Sequence, residues 1–539
     1  MKKIISLVSI FLMALACSKP APVSPTPVVI SPVTPVTPTP TPTPTNQDKD
    51  DLDKVQKACF NYFWYGNVDS GLSYERSSNR NLVTTGGTGF GLMGMVAAVS
   101  RNYVSRTEAV AKTKKILTFL EKADKFHGVF AHWYNGNSGQ VQRFSEKDDG
   151  GDLVETSYLM AGLLSVRAYF DQENTDEKDV RDRITKLWEA VEWNWHVKGD
   201  LLMWHWSPKY AFEQNAPIRG YNEALITFVM AMSSPKYAIS PAIYENSWKN
   251  TSSFKNGREY HGYTLNIGPD YGGPLFFTQY SFLGLDPRKM QDNATNYWLN
   301  NVSTVLVNRA YCLEKAPKTN LYDEGFWGLT ASDNSKGYDA HSPTKDLGTV
   351  TPTAAMSSFP YTPYYSFQAM KKMMANNKIY DATYGFVDAF TPKEGWYSDQ
   401  FLAIDQNPIP VMIENYRTGL LWKLFMGIPE VKVGLSKAGM NNVRYKTGFH
   451  LAVLESTKKR LDLMKHPDKN AYTIDFYLET NETTSLALTD LDGKIIKTII
   501  DNKATAAGEQ TAEFTADKGE YKLRLTTGMN MTEMKVGLN

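Results

Sequence analysis

The chain has 539 residues and carries 58 Lys plus Arg against 57 Asp plus Glu, a net charge of +1. With no excess of positive charge and no long Lys/Arg run, nucleic acid is excluded as a partner. The length suits one large domain with a smaller one, and the 12 Trp, 30 Tyr and 25 Phe gather beside Gly, Asn and charged residues, where rings can stack on the C–H faces of sugars.

In chain order, Lys2 and Lys3 precede an apolar run over residues 4–15 that ends in Ala14-Leu15-Ala16-Cys17. That run reads as a targeting segment too short to span a bilayer. Its end resembles a bacterial lipobox, which implies a signal peptide over 1–16, lipidation of Cys17, and contact with a membrane only through that lipid. The implied location is the periplasm or outer membrane of a Gram-negative bacterium. Residues 17–50 are rich in Pro and Thr, a composition that favours an extended tether.

Residues 51–440 read as helices. Helical spacing is present at 53–65, and 87–99 is small and apolar on nearly every side, as in a buried helix. An amphipathic helix with Lys on its outer face follows from Ser105. This alternation recurs: 152–170 then 176–195, 223–232, 276–283 then 290–312, 353–358 then 363–375, and 410–426 last. About twelve helices alternating inner and outer predict a mainly α fold, an (α/α)6 toroid. Long Gly/Pro/aromatic-rich loops (196–220, 250–273, 314–350, 380–408) would wall a cleft at its open end. Beyond 440, runs such as 472–478, 485–488, 494–500, 511–514 and 521–525 alternate or are β-branched, with turn signals at Asp492-Gly493 and Lys518-Gly519. A small all-β sandwich-like domain over 441–539 is predicted, without clustered catalytic side chains, as a spacer or stabiliser. Cys59 and Cys312 read as buried free thiols. Neither makes a zinc spacing with the eight His, so neither a metal nor a cofactor is expected.

The acids carry the chemistry. Lys147-Asp148-Asp149-Gly150-Gly151-Asp152-Leu153-Val154-Glu155 packs four carboxylates around a Gly-Gly turn ahead of an apolar helix. Asp152 as N-cap with Glu155 three residues on would be a capping box; no cap accounts for Asp148 and Asp149. Glu223 enters a nearly all-apolar run, where an unpaired carboxylate is costly, so its pKa should rise as a general acid requires. Arg219 could instead pair with it. Asp405 lies in Ala403-Ile404-Asp405-Gln406, and Glu414 and Arg417, three apart, look like a helix-face pair. Trp133, Trp206, Arg219 and Tyr416 are the candidate sugar contacts. Two carboxyls flanked by rings suit glycosidic-bond cleavage, in which one protonates the leaving oxygen and the other activates water or attacks.

Several ordered motifs carry a family resemblance: Thr84-Thr85-Gly86-Gly87-Thr88-Gly89-Phe90-Gly91, the acidic stretch 147–155, His205-Trp206-Ser207-Pro208, residues 219–223, Gly272-Gly273-Pro274-Leu275-Phe276-Phe277, residues 327–333 and residues 413–419. Together these resemble the bacterial glucoamylase-like domain of glycoside hydrolase family 144, the β-1,2-glucanases, over nearly the whole helical region. The resemblance implies an (α/α)6 fold, no metal, and hydrolysis of β-1,2-glucan or its oligosaccharides with inversion. It places the family's acidic cluster on Asp148, Asp152 and Glu155, where they would bind sugar hydroxyls, and further acids on Glu223 and Asp405. Glu223 is assigned as general acid and Asp405 as the base that activates water. Other readings stay open: a hydrolase of another glucan on the same scaffold, and a non-catalytic surface glycan-binding lipoprotein. A polysaccharide lyase is disfavoured by the neutral charge and acid-rich site.

Overall fold

The computed structural model describes residues 46–440, 449–454, 461–465, 471–478, 481–506, 508–527 and 530–538. The expected signal peptide, Cys17 and most of the tether lie outside them. Among the described residues no helix is long and apolar enough to cross a membrane.

The fold is mainly helical, with a strand-rich C-terminal region. Helix α1 spans Asn46–Trp64, α2 Thr85–Ser100, α3 Arg106–Lys122, α4 Leu153–Tyr169, α5 Thr175–Glu189 and α6 Leu225–Ser233. After these come α7 (Pro241–Ile243), α8 (Tyr297–Ala310), α9 (Pro352–Met356), α10 (Pro363–Met374), α11 (Ala403–Gln406), α12 (Pro408–Arg417), α13 (Leu420–Gly427) and α14 (Pro429–Lys437).

Their sequences explain which are central. Residues 85–99 of α2 and all of α6 are buried, which their nearly uncharged, small or apolar sequences permit. By contrast α3 buries one stripe (Ala109, Val110, Thr113, Ile116, Leu117, Leu120) and starts in a complete capping box between Ser105 and Glu108. Glycine sets the closest helix contact. A Cβ on Gly89 would stand 2.1 Å from the Tyr158 carbonyl oxygen, and one on Gly162 2.2 Å from the Gly89 oxygen, so only hydrogen lets α2 and α4 approach this far.

The central elements touch in succession. Ser157 on α4 hydrogen-bonds Thr227 on α6 at 2.8 Å, and the Ile226 N–H of α6 donates to Ser281. Gln279 reaches the Ala354 carbonyl on α9. Phe359, just beyond α9, packs on Tyr416 of α12. Asn407, between α11 and α12, donates to the Gly87 carbonyl of α2. The first turns of α2, α4, α6 and α11 therefore come together.

Two helical expectations are corrected. Residues 276–283 form two 3-10 turns, Leu275–Thr278 and Ser281–Leu283; Pro274 opens the stretch, and the Ser281 hydroxyl leaves it to donate to the Glu223 carbonyl. Residues 410–426 split into α12 and α13 at Gly419, whose φ is +67°, a left-handed conformation that ends helices. The Gly150-Gly151 pair does not start α4; Gly151 and Asp152 pair with Trp206 and His205 as a short antiparallel ladder.

In the C-terminal region two four-stranded antiparallel sheets form. One joins Phe449–Leu454, Leu461–Lys465, Tyr472–Leu478 and Gly508–Phe514 in that order; the other runs Ile495–Thr505, Glu482–Thr489, Gly519–Thr527, Asn530–Leu538. Inward residues of both, including Leu463, Ile474, Phe476, Leu488, Leu525 and Val536, share one core, the arrangement of a sandwich. Cys59 and Cys312 are free and buried, and burial pushes each thiol up to about 12.

Candidate active site

The first group of acids is built on the start of α4. Asp152 is its N-cap: Oδ1 accepts the Glu155 N–H at 2.9 Å while Oδ2 accepts the Trp204 indole N–H at 3.1 Å. Only half of the expected capping box forms. The Glu155 carboxylate turns away to accept the Gly86 N–H at 2.7 Å, in the first turn of α2, where the helix dipole favours an anion. A Cβ on Gly86 would lie 2.4 Å from that same oxygen, which is why the 84–91 motif needs glycine there.

His132 sits between these acids, with Nδ1 3.3 Å from Asp152 and Nε2 3.9 Å from Glu155. Burial alone would lower its pKa, but Glu155, Asp152 and Asp148 together raise it to about 9. It is therefore a cation at neutral pH. Asp148 lies on the preceding loop, 3.3 Å from His205 Nε2, and burial with the Asp152 charge beside it pushes its carboxyl up to about 7. His132, Asp148 and Asp152 offer ligand atoms within 4.8 Å of one another.

Glu223 ends the loop before α6. Its carbonyl accepts from the Ser281 and Tyr158 hydroxyls. The residue is half-buried, and desolvation, with Glu155 and Asp152 adding to it, brings the carboxyl up to about 7. Exposed Arg219 makes no ion pair among the described residues, so the carboxyl keeps that proton affinity.

The second group surrounds Asp405, 2 % exposed in α11. Buried Asp388 is brought alongside it by its own N–H, which donates to the Gln400 carbonyl, and by the Gln406 amide, which donates to the Phe386 carbonyl; the two carboxyls act on each other electrostatically. Burial raises both; the Asp333 charge adds to it at Asp388, which rises to about 7, and Asp388 adds to it at Asp405. Around them stand Asp333, Glu75 and Arg76; Arg76 lies 2.9 Å from Glu75 and 3.4 Å from Asp333. Tyr280 links the two groups, since both Asp405 and Glu223 act electrostatically on its hydroxyl. Its ring packs on Tyr158 and Phe276.

The five predicted acids thus converge. Trp133 and Trp206 are half-buried: Trp133 packs against His132 and Phe144, and Trp206 flanks stacked His127 and Trp195. Tyr416 is corrected. It packs among Phe359 and Phe367, at the far end of α12 from Asp405. Glu414 and Arg417 are not a helix-face pair either: Glu414 pairs with Arg101 at 2.7 Å and Arg417 with Asp53. Asp149 accepts from Ser207 at 2.5 Å and holds the turn. Not foreseen were His132 as the cluster's cation, Tyr280, and the Asp388–Asp405 contact.

Acids thus gather at the first turns of α4 and α11 and on the loops beside the central helices. The family model "Glycoamylase: Putative glucoamylase" matches residues 215–429. A curated relative, the exo β-1,2-glucooligosaccharide sophorohydrolase (non-reducing end) of Parabacteroides distasonis, is 44% identical over 416 residues, 72% of this chain. The chain spans 58% of that relative's length. The endo-β-1,2-glucanase of Chitinophaga pinensis, solved with sophorotriose and glucose, is 46% identical with a TM-score of 0.70, over 73% of this chain and 98% of that one. A β-1,2-glucanase structure from Parabacteroides distasonis is 43% identical with a TM-score of 0.71, over 73% of this chain and 60% of that one. The chain belongs to this family, the glucoamylase-like proteins of glycoside hydrolase family 144.

Proposed function

We propose that the protein hydrolyses β-1,2-glucan or β-1,2-glucooligosaccharides, with Glu223 as general acid and Asp405 as the base that activates water. One observation carries this reading: a carboxyl raised to about 7 and a second buried acid both act electrostatically on the Tyr280 hydroxyl. A group of pKa near 7 keeps its proton at neutral pH and releases it readily. The relatives that act on β-1,2-linked glucose supply the linkage.

Inversion is the expected outcome. An inverting pair stands about 6.5–9.5 Å apart, which leaves room for a water. Asp152, whose carboxyl His132 holds down against its burial, and Glu155 are placed to accept hydrogen bonds from sugar hydroxyls, with Asp148 beside them. Trp133 and Trp206 offer ring faces to the sugars.

The scaffold is read as an (α/α)6 toroid. The succession α2, α4, α6, the turns at 275–283, α9 and α11–α12, which returns to α2, supports six inner elements. The Ala16-Cys17 motif supports a lipid-anchored protein of the periplasm or outer membrane. The test is product separation after incubation with linear β-1,2-glucan and, in parallel, starch. Sophorose-series products from the first and none from starch are expected; starch cleavage or inertness toward both would overturn the reading.

A further inference from the structure

Asp388 and Asp405 pose a problem that their surroundings do not solve. Both are buried, at 1 % and 2 % exposure. One Asp388 oxygen accepts the Asp333 N–H at 2.7 Å, but its Oδ1 and both Asp405 oxygens have no donor. Two bare carboxylates in contact would repel in a dry site, and each unsatisfied buried oxygen is costly. A single proton between them removes both penalties, giving one acid that donates and one anion that accepts.

We propose that Asp388 is the positioning residue of the water-activating acid: its carboxyl and that of Asp405 hold one proton in common, so that the pair meets the attacking water as a monoanion. The inference rests on the hydrolytic reading above. In the step, a water O–H bond breaks and its proton goes to the Asp388–Asp405 pair while the water oxygen bonds the anomeric carbon. The glycosidic C–O bond breaks, and the Glu223 proton passes to the leaving oxygen. The pair ends neutral with two protons and Glu223 ends as carboxylate, so charge is conserved. The groups facing the pair are Tyr62 on α1, Glu75 and Arg76, Asp333 and Tyr338 on one hairpin, and Tyr280. Of these Arg76 alone is cationic, and it is held by Glu75 and Asp333.

Asp388→Asn keeps an oxygen for the Asp333 N–H and offers Asp405 an amide donor, so the fold persists; a thermal melt verifies it. In the shared-proton monoanion Asp388 is the neutral partner, and an amide donates to the Asp405 carboxylate less strongly than a carboxylic acid does. The acid limb of kcat against pH on β-1,2-glucooligosaccharides should therefore move up by about one unit or more. Loss of the positioning hydrogen bond should lower kcat about tenfold to a hundredfold with KM little changed. In substrate-free protein at neutral pH, infrared spectra of Asp388→Asn, Asp405→Asn and the double variant should each lack the same single carboxylic-acid C=O band. An active, folded Asp388→Asn with an unmoved acid limb, or bands lost independently in the two single variants, overturns the proposal. If wild type leaves β-1,2-glucan intact while the shared band is present, the hydrolytic reading fails and the proton-sharing pair stands.

Discussion

The two acid groups meet the same electrostatic difficulty by opposite means. Around Asp152 the negative charge is kept: against burial, the His132 imidazolium and the Glu155 N–H hold its carboxyl below the usual range, while burial raises Glu155, which accepts the Gly86 N–H. Around Asp405 no cation touches the carboxyl, Arg76 being held by Glu75 and Asp333, and the charge is reduced by protonation instead. Carboxyls of identical chemistry therefore differ in proton affinity because of what stands beside them. One group is suited to hold sugar hydroxyls beside a cation, the other to take up a proton.

The largest effect expected from breaking this contrast is on turnover. Glu223→Gln and Asp405→Asn should each lower kcat by roughly two to four orders of magnitude while circular dichroism stays native; near-native turnover on β-1,2-glucooligosaccharides removes the residue from its role. Gly86→Ala comes next. Its Cβ collides with Glu155 Oε2, so the carboxylate must leave the helix N-terminus, and a stability loss of about 1–3 kcal/mol with weaker substrate binding should appear in urea titrations and in KM.

The cation can be tested through pH. The folded pKa of His132, about 9, lies above its ordinary 6.5, so its stabilising contribution is complete below about 6.5 and disappears as pH rises through about 9. The stability gap between wild type and His132→Gln, on the order of 3 kcal/mol at about 1.4 kcal/mol per unit, should close over that window in urea titrations; a constant gap would show that His132 is not charged. In the wild type, kcat should fall on the alkaline side of pH 7 as Glu223, at about 7, loses its proton. The smallest effect belongs to Tyr416→Phe, which touches neither group and should change kcat/KM by less than about twofold.

Much of the first group was legible in the sequence because its members sit close together. Asp148, Asp152 and Glu155 fall within eight residues beside a Gly-Gly turn, and the uncharged runs of α2, α4 and α6 announce burial. The second group was only half legible. Asp405 lies in a recognisable motif, whereas Asp388 is a lone acid in Phe386-Val387-Asp388-Ala389-Phe390, whose partner is supplied by α11 only on folding. His132 gives no such signal, since its charge depends on acids 16 to 23 residues away. Tyr416 misled for the converse reason: an aromatic beside Arg417 reads like a sugar contact, yet its helix face turns to Phe359 and Phe367. In the C-terminal region alternation located the middle strands, while Asn530–Leu538 went unnoticed, a strand that takes its register from pairing with Gly519–Thr527.

The central claim is that two carboxyls of unequal proton affinity flank the scissile bond with a water between base and anomeric carbon. Proton NMR of the newly released reducing end, recorded in the first minutes of β-1,2-glucooligosaccharide hydrolysis, tests it most directly. The account predicts the α-anomer first, followed by slow mutarotation; initial release of the β-anomer would contradict it.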